Sequence, residues 1–121
     1  MKDYPEMTRD MSAQIAELRK GIPDTMKGFS AMAAAATAAG ELDVKTKELV
    51  AIAISVAAHC DGCIAFHAKA AARQGASRGE VLETLGMAVY MGGGPSMIYA
   101  AQTLAAYDQF INEQSERKLA S

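Results

Sequence analysis

The stretch Leu49-Val50-Ala51-Ile52-Ala53-Ile54-Ser55-Val56-Ala57-Ala58, followed directly by His59-Cys60-Asp61-Gly62-Cys63-Ile64-Ala65-Phe66-His67, decides how this chain folds and where its chemistry sits. The first part is an apolar run broken only by Ser55. Asp43 is a good N-cap, and the spacing predicts a helix from Val44 to about His59 that is buried all round. The second part contains both cysteines and both histidines of the chain. Soft-nucleophile, redox or metal chemistry must therefore start here. In a helix running from Cys60, at about 100° per residue, Cys63 and His67 project from the same face as Cys60 and place a dithiol and an imidazole in one patch.

On the N-terminal side a first helix is expected from near Thr8, with Met11, Ile15 and Leu18 as its apolar stripe, to Gly21. Pro23 fits the first turn of a second helix, which passes Met26, Phe29 and Met32 and an alanine block before Gly40. Alanine at that density favours close helix contact over disorder. The Cys/His helix ends at Gly75. Ser77-Arg78-Gly79-Glu80 has capping-box spacing and opens a fifth helix with Val81, Leu82, Leu85, Met87, Ala88 and Met91 inside it. Gly92-Gly93-Gly94 breaks that helix, and Pro95 starts a sixth through Ile98, Leu104, Tyr107 and Ile111, fading into a polar tail from Asn112 to Ser121. The three glycines precede a helix N-terminus that could hold an anion, but no strand precedes them and no Lys or Ser/Thr follows at phosphate-loop spacing. A tight turn with close helix approach is the better reading.

The expected architecture is all-α, about six helices and no strand, in one domain spanning residues 1–121. Half of the 121 residues are apolar, but alanine leads, with no Trp, four Tyr and three Phe. Small side chains of this kind favour packed helices over strands. A formal net charge of −2 and the lack of a Lys/Arg cluster with interleaved aromatics leave no basic field for nucleic acid. The N-terminus lacks the apolar core of a signal peptide, and the longest apolar run is far shorter than the ~20 residues of a membrane span. A soluble, cytoplasmic protein is the expectation. Four helices apolar on most faces exceed what one small domain buries, so self-association is expected. Met26, Met32, Met87, Met91 and Met97 belong to the core, to a subunit interface or to a ligand surface.

Two cysteines three residues apart cannot staple a fold, and in a reducing compartment such a pair is catalytic or metal-binding. Cys60 sits where unpaired helix N–H groups favour a thiolate. Cys63 is one turn from His67, which could accept its proton. The spacing lets one sulfur resolve an adduct formed on the other, closing an intramolecular disulfide that an external dithiol reopens. Ile64 stands where a c-type haem motif needs histidine, which excludes that motif. Structural zinc usually takes two separated ligand pairs, and a second pair is missing; Cys60, Cys63 and His67 with His59 or a carboxylate remain a possible metal set. A coincidental buried pair is the other alternative. Glu41, Asp43 and Glu48 are candidate partners for the histidine. Glu48 stands where the charged turn gives way to the apolar run, and beside His67 it would hold the imidazole's tautomer. Its alternative role is a first-turn glutamate favoured by the helix dipole.

On these residues the chain resembles the carboxymuconolactone decarboxylase superfamily, specifically its alkylhydroperoxidase D-like branch of small single-domain members. The match consists of a glutamate twelve residues before the first cysteine, the C-x-x-C-x-x-x-H core, and Gly-Gly-Gly-Pro after the next helix: Glu48, Cys60, Cys63, His67 and Gly92 to Pro95. It covers about residues 25–110. The resemblance implies an oligomeric helical bundle, commonly a trimer or hexamer, with peroxidase or disulfide reductase activity. It implies that Cys63 reacts with hydroperoxide, that Cys60 is its more exposed disulfide partner, and that His67 with Glu48 relays protons. No cofactor is implied beyond the Cys60–Cys63 redox disulfide and an external dithiol or thiol-protein donor. The longer members carry a histidine between their cysteines, where this chain has Asp61-Gly62, and their peroxiredoxin and lipoyl-protein partners do not transfer. Two rival readings stay open. One is a lactone decarboxylase that does not rely on a cysteine pair; the other is a metal-binding or structural oligomer without catalysis.

Overall fold

The computed structural model describes residues 1–120. Six helices follow one another: α1 (Tyr4–Gly21), α2 (Pro23–Thr37), α3 (Val44–Ala57), α4 (Asp61–Arg73), α5 (Arg78–Gly92) and α6 (Gly94–Ala120), with no strand among the described residues. No helix among them is long and apolar enough to cross a membrane.

The centre is α4, which packs on α1, α3 and α6, while α3 and α5 pack on each other and on α6. Alanine makes this possible. Ala65, Ala68, Ala71 and Ala72 of α4 are buried against Ile52 and Val56 of α3, Val81 and Leu85 of α5, and Ala106, Tyr107 and Phe110 of α6 in one core. Tyr107 donates a hydrogen bond of 2.6 Å to the Ala76 carbonyl, which satisfies a buried hydroxyl and ties α6 to the α4–α5 turn. The capping box forms at Ser77: its hydroxyl accepts from Glu80 N–H, and the Glu80 carboxylate accepts from Ser77 N–H. Gly92 is a site of close helix approach, since a Cβ there would run into the Ser96 side chain, which is itself buried.

Several boundaries and faces differ from the sequence expectation. Helix α1 begins at Tyr4 rather than Thr8, because Asp3 accepts from Glu6 N–H and Pro5 suits the first turn. Its inward face is Tyr4 and Thr8, and Leu18 is exposed. Helix α2 stops at Thr37, short of Gly40, and the Lys47 ammonium donates to the Ala36 and Ala38 carbonyls at 2.9 and 2.6 Å. Helix α3 ends at Ala57 and is not buried all round: Glu48, Ile52, Ser55 and Val56 face the core, whereas Val50 and Ile54 are exposed. In α5, Val81, Leu85 and Ala88 are buried but Leu82, Met87 and Met91 are not. Helix α6 does not fade at Asn112 but continues to Ala120, where side chains such as Glu113 bridge to Arg117 one turn on and to Arg9 of α1. Ser121, the end of the expected tail, lies outside the described residues.

Candidate active site

Two helix ends meet at the cysteine pair. Ala58 closes α3, and His59 then takes a left-handed conformation, φ 55°, while its N–H bonds to Val56 O and the Cys60 N–H bonds to Ser55 O. This is a Schellman closure, in which the left-handed position usually carries glycine. Gly75 supplies that glycine at the end of α4, with the same pair of bonds from Gly75 to Ala72 and from Ala76 to Ala71. His59 fills the position with an imidazole that stacks on Tyr99 of α6, centroids 4.5 Å apart and planes within 5°. The stack offsets part of the ~1–2 kcal/mol that an L-residue spends in this conformation.

Cys60 is therefore at once the last residue of one closure and the N-cap of the next helix. It does not lie on the helix face itself; its backbone is extended, and its Sγ accepts from the Cys63 N–H at 3.2 Å. A disulfide joins Cys60 to Cys63, with Cα atoms 5.2 Å apart. Of the two residues Cys63 is exposed and Cys60 only half-buried. This reverses the expectation that Cys60 is the more accessible partner, because the N-cap turn folds Cys60 back against α3 while Cys63 sits on the open side of α4.

His67 lies one turn beyond Cys63. Its Nδ1–H donates to Glu48 Oε2 at 2.8 Å, bridging α4 to α3 across 19 residues of sequence. The Glu48 side chain is 9% exposed and that of His67 35%. A buried carboxylate that accepts from Nδ1 fixes the neutral ring as the tautomer whose basic nitrogen is Nε2. Cys60, Cys63, His67 and Glu48 are thus gathered at the α3–α4 contact. Glu41 is exposed, and Asp43 is committed to capping α3 through Thr46 N–H; among the described residues the carboxylate bonded to the histidine is that of Glu48. With both sulfurs in the disulfide, no group of three or more His, Cys, Asp or Glu suited to a metal ion occurs among the described residues.

Two contacts at the rim had no sequence signal strong enough to find them. One is the His59–Tyr99 stack. The other is an ion pair between Lys2 and Asp61, Nζ to Oδ2 2.6 Å, which joins residues 59 positions apart.

Residues 23–106 match the model of the carboxymuconolactone decarboxylase family. The chain belongs to this family. A carboxymuconolactone decarboxylase family protein from Legionella pneumophila is similar in structure, with a TM-score of 0.88 and 53% identity, over 89% of this chain and 96% of that one. A second family structure, from Thermotoga maritima, has a TM-score of 0.76 and 27% identity over 95% of both chains. A part in the antioxidative response has been suggested for that protein. An uncharacterized protein from Cupriavidus necator is 36% identical over 84% of this chain and 96% of its own length. The carboxymuconolactone decarboxylase family thus accounts for the all-α fold, on which more than one chemistry can be mounted.

Proposed function

We propose that this protein is a thiol-dependent peroxidase or disulfide oxidoreductase of the alkylhydroperoxidase D-like kind, cycling between the Cys60/Cys63 dithiol and the disulfide. The single observation that supports this best is the coincidence, at one helix contact, of a disulfide-linked C-x-x-C pair with a histidine held by a buried glutamate.

In the oxidising half-reaction Cys63 gives its proton to His67 Nε2, and the thiolate attacks the outer oxygen of a hydroperoxide. The O–O bond breaks, leaving a sulfenic acid on Cys63 and an alcohol that takes up the proton. The Cys60 thiolate then attacks the Cys63 sulfur, the S–O bond breaks, and water leaves with a proton as the disulfide closes. In the reducing half-reaction a thiolate of an external dithiol attacks the sulfur of Cys63, the more exposed residue of the pair. Cys60 departs as a thiolate, a good leaving group because the Cys63 N–H and the helix N-terminus receive its charge. The donor's second thiol displaces Cys63 and leaves oxidised. Each turnover consumes one hydroperoxide and one dithiol and yields an alcohol, water and the donor disulfide.

The same reading includes homo-oligomerisation. Helix α2 buries no residue, Phe29 and Met32 are exposed on it, and an apolar groove of about 270 Å³ between α3 and α5 is lined by Ile54, Met87 and Met91. A second copy of the chain is the occupant we propose for these faces.

The test is consumption of cumene hydroperoxide with dihydrolipoamide as reductant. Wild type is expected to turn over. Cys60→Ser and Cys63→Ser are each expected to abolish turnover, and His67→Ala to reduce it roughly a hundredfold, the scale of a lost acid–base group. Turnover unchanged in the double serine variant would contradict the redox assignment.

A further inference from the structure

The residue after Cys60 is an acid, and a carboxylate next to a thiol opposes its ionisation. Asp61 is the first residue of α4, so its charge suits the helix N-terminus, where Cys60, the residue before it, is the N-cap. Its two oxygens are treated differently. Oδ1 is buried without a hydrogen-bond partner among the described residues, and Oδ2 accepts from the Lys2 ammonium at 2.6 Å. A buried carboxylate oxygen left unpaired is costly, and such a group in a folded protein calls for an explanation.

Lys2 is brought there by a separate set of bonds. Gln109 of α6 donates through Nε2 to Lys2 O at 2.8 Å and accepts through Oε1 from Tyr4 N–H at 2.8 Å. Tyr4 itself is buried. The N-terminal segment is therefore anchored by its backbone, independently of the Lys2 side chain, and the ammonium is presented to the cysteine loop. The charged and titratable groups acting on the ammonium are Asp61 of α4, Tyr4 of α1 and Tyr99 of α6. The hydrogen bond to Asp61 raises the Lys2 pKa above its ordinary value, so the ammonium stays charged. Burial, with a smaller contribution from Asp61, raises that of Tyr4, whose hydroxyl stays neutral.

We propose that Lys2 and Asp61 form an electrostatic control on the dithiol, in which the ammonium neutralises the carboxylate beside Cys60 and so keeps its thiolate accessible near neutral pH. Both are positioning residues rather than catalytic ones. This rests on the thiol reading above for its purpose, but the ionisation it describes is measurable whether or not the protein is a peroxidase.

The test is the pH profile of iodoacetamide alkylation of the reduced protein at low ionic strength, in a Cys63→Ser background that isolates Cys60. Lys2→Met is expected to move the profile to higher pH and slow alkylation at pH 7 roughly threefold, the order of effect that one nearby unit charge has in a solvent-like dielectric. Lys2→Arg is expected to restore the rate, and 0.5 M salt to shrink the difference. In an Asp61→Asn background, where Lys2 loses its anchor, Lys2→Met is expected to change little. Circular dichroism and the melting temperature of Lys2→Met should match the parent, because Gln109 still holds the segment. An equal slowing by Lys2→Met with and without Asp61, or no slowing in either, would overturn the proposal. A peroxidase assay that fails while this profile shifts as stated would count against the proposed activity and leave the control intact.

Discussion

Glu48 and His67 show how far a single residue's role can be read before the fold is known. Glu48 is set apart in the sequence by its place at the edge of an apolar run, but a first-turn glutamate looks the same whether it serves the helix dipole or a histidine. The crossing of α3 over α4 settles which, with the 2.8 Å bond to Nδ1. The cysteine exposures were not legible, because they depend on Cys60 being an N-cap and not a helical residue. Nor was the conformation of His59, since a histidine at a glycine position gives no sequence signal of its own. Two outcomes follow at this scale. His59→Ala keeps the left-handed strain and loses the Tyr99 stack, so it should destabilise the oxidised protein, and His59→Gly should recover about 1 kcal/mol relative to it. Urea unfolding of the three proteins measures this; equal stability of the Ala and Gly variants would contradict the strain assignment.

At the scale of the elements, local chemistry was legible wherever a cap or a glycine carried it. The Ser77 capping box, the Asp43 cap and the Gly75 terminus all form as spaced. What local chemistry could not give was length that depends on partners: α6 runs on through polar residues joined to Arg9 of α1 and to one another, and α2 stops where Lys47 takes its carbonyls. The caps also set a pH dependence. Hydrogen bonds from Thr46 lower the Asp43 pKa, and those from Ser77 and Lys45 lower that of Glu80. A carboxylate whose folded pKa is lowered contributes stability above its ordinary pKa and loses it as pH falls through the folded value. Melting temperature should therefore drop as acid is added below the ordinary carboxylate range. Asp43→Asn, which can still cap, should flatten part of that drop while changing little at pH 7. A pH–melting curve identical to wild type would show that the cap's charge does not contribute. At the other cap, Ser77→Ala should lower stability by about 1 kcal/mol in urea unfolding.

For the whole molecule, the six-helix count and the absence of strands among the described residues follow from alanine-rich, capped segments, and the family match accords with that fold. Which faces a single chain leaves open did not follow, since an apolar run reads the same whether a neighbouring helix or another copy covers it. Ile54 and Met91 are exposed at 62% and 78%, and the assembly proposed for them predicts that Ile54→Glu with Met91→Glu yields a smaller, folded species by light scattering; an unchanged mass would place the interface elsewhere. The redox role proposed for the cysteine pair at the α3–α4 contact is tested by the rate at which the reduced protein loses its two thiols to an alkyl hydroperoxide. Wild type should react far faster than free cysteine and recover with dihydrolipoamide, with His67→Ala slowed roughly a hundredfold and Glu48→Gln slowed less but in the same direction. Thiols that react no faster than free cysteine, or that are indifferent to both substitutions, would contradict the account.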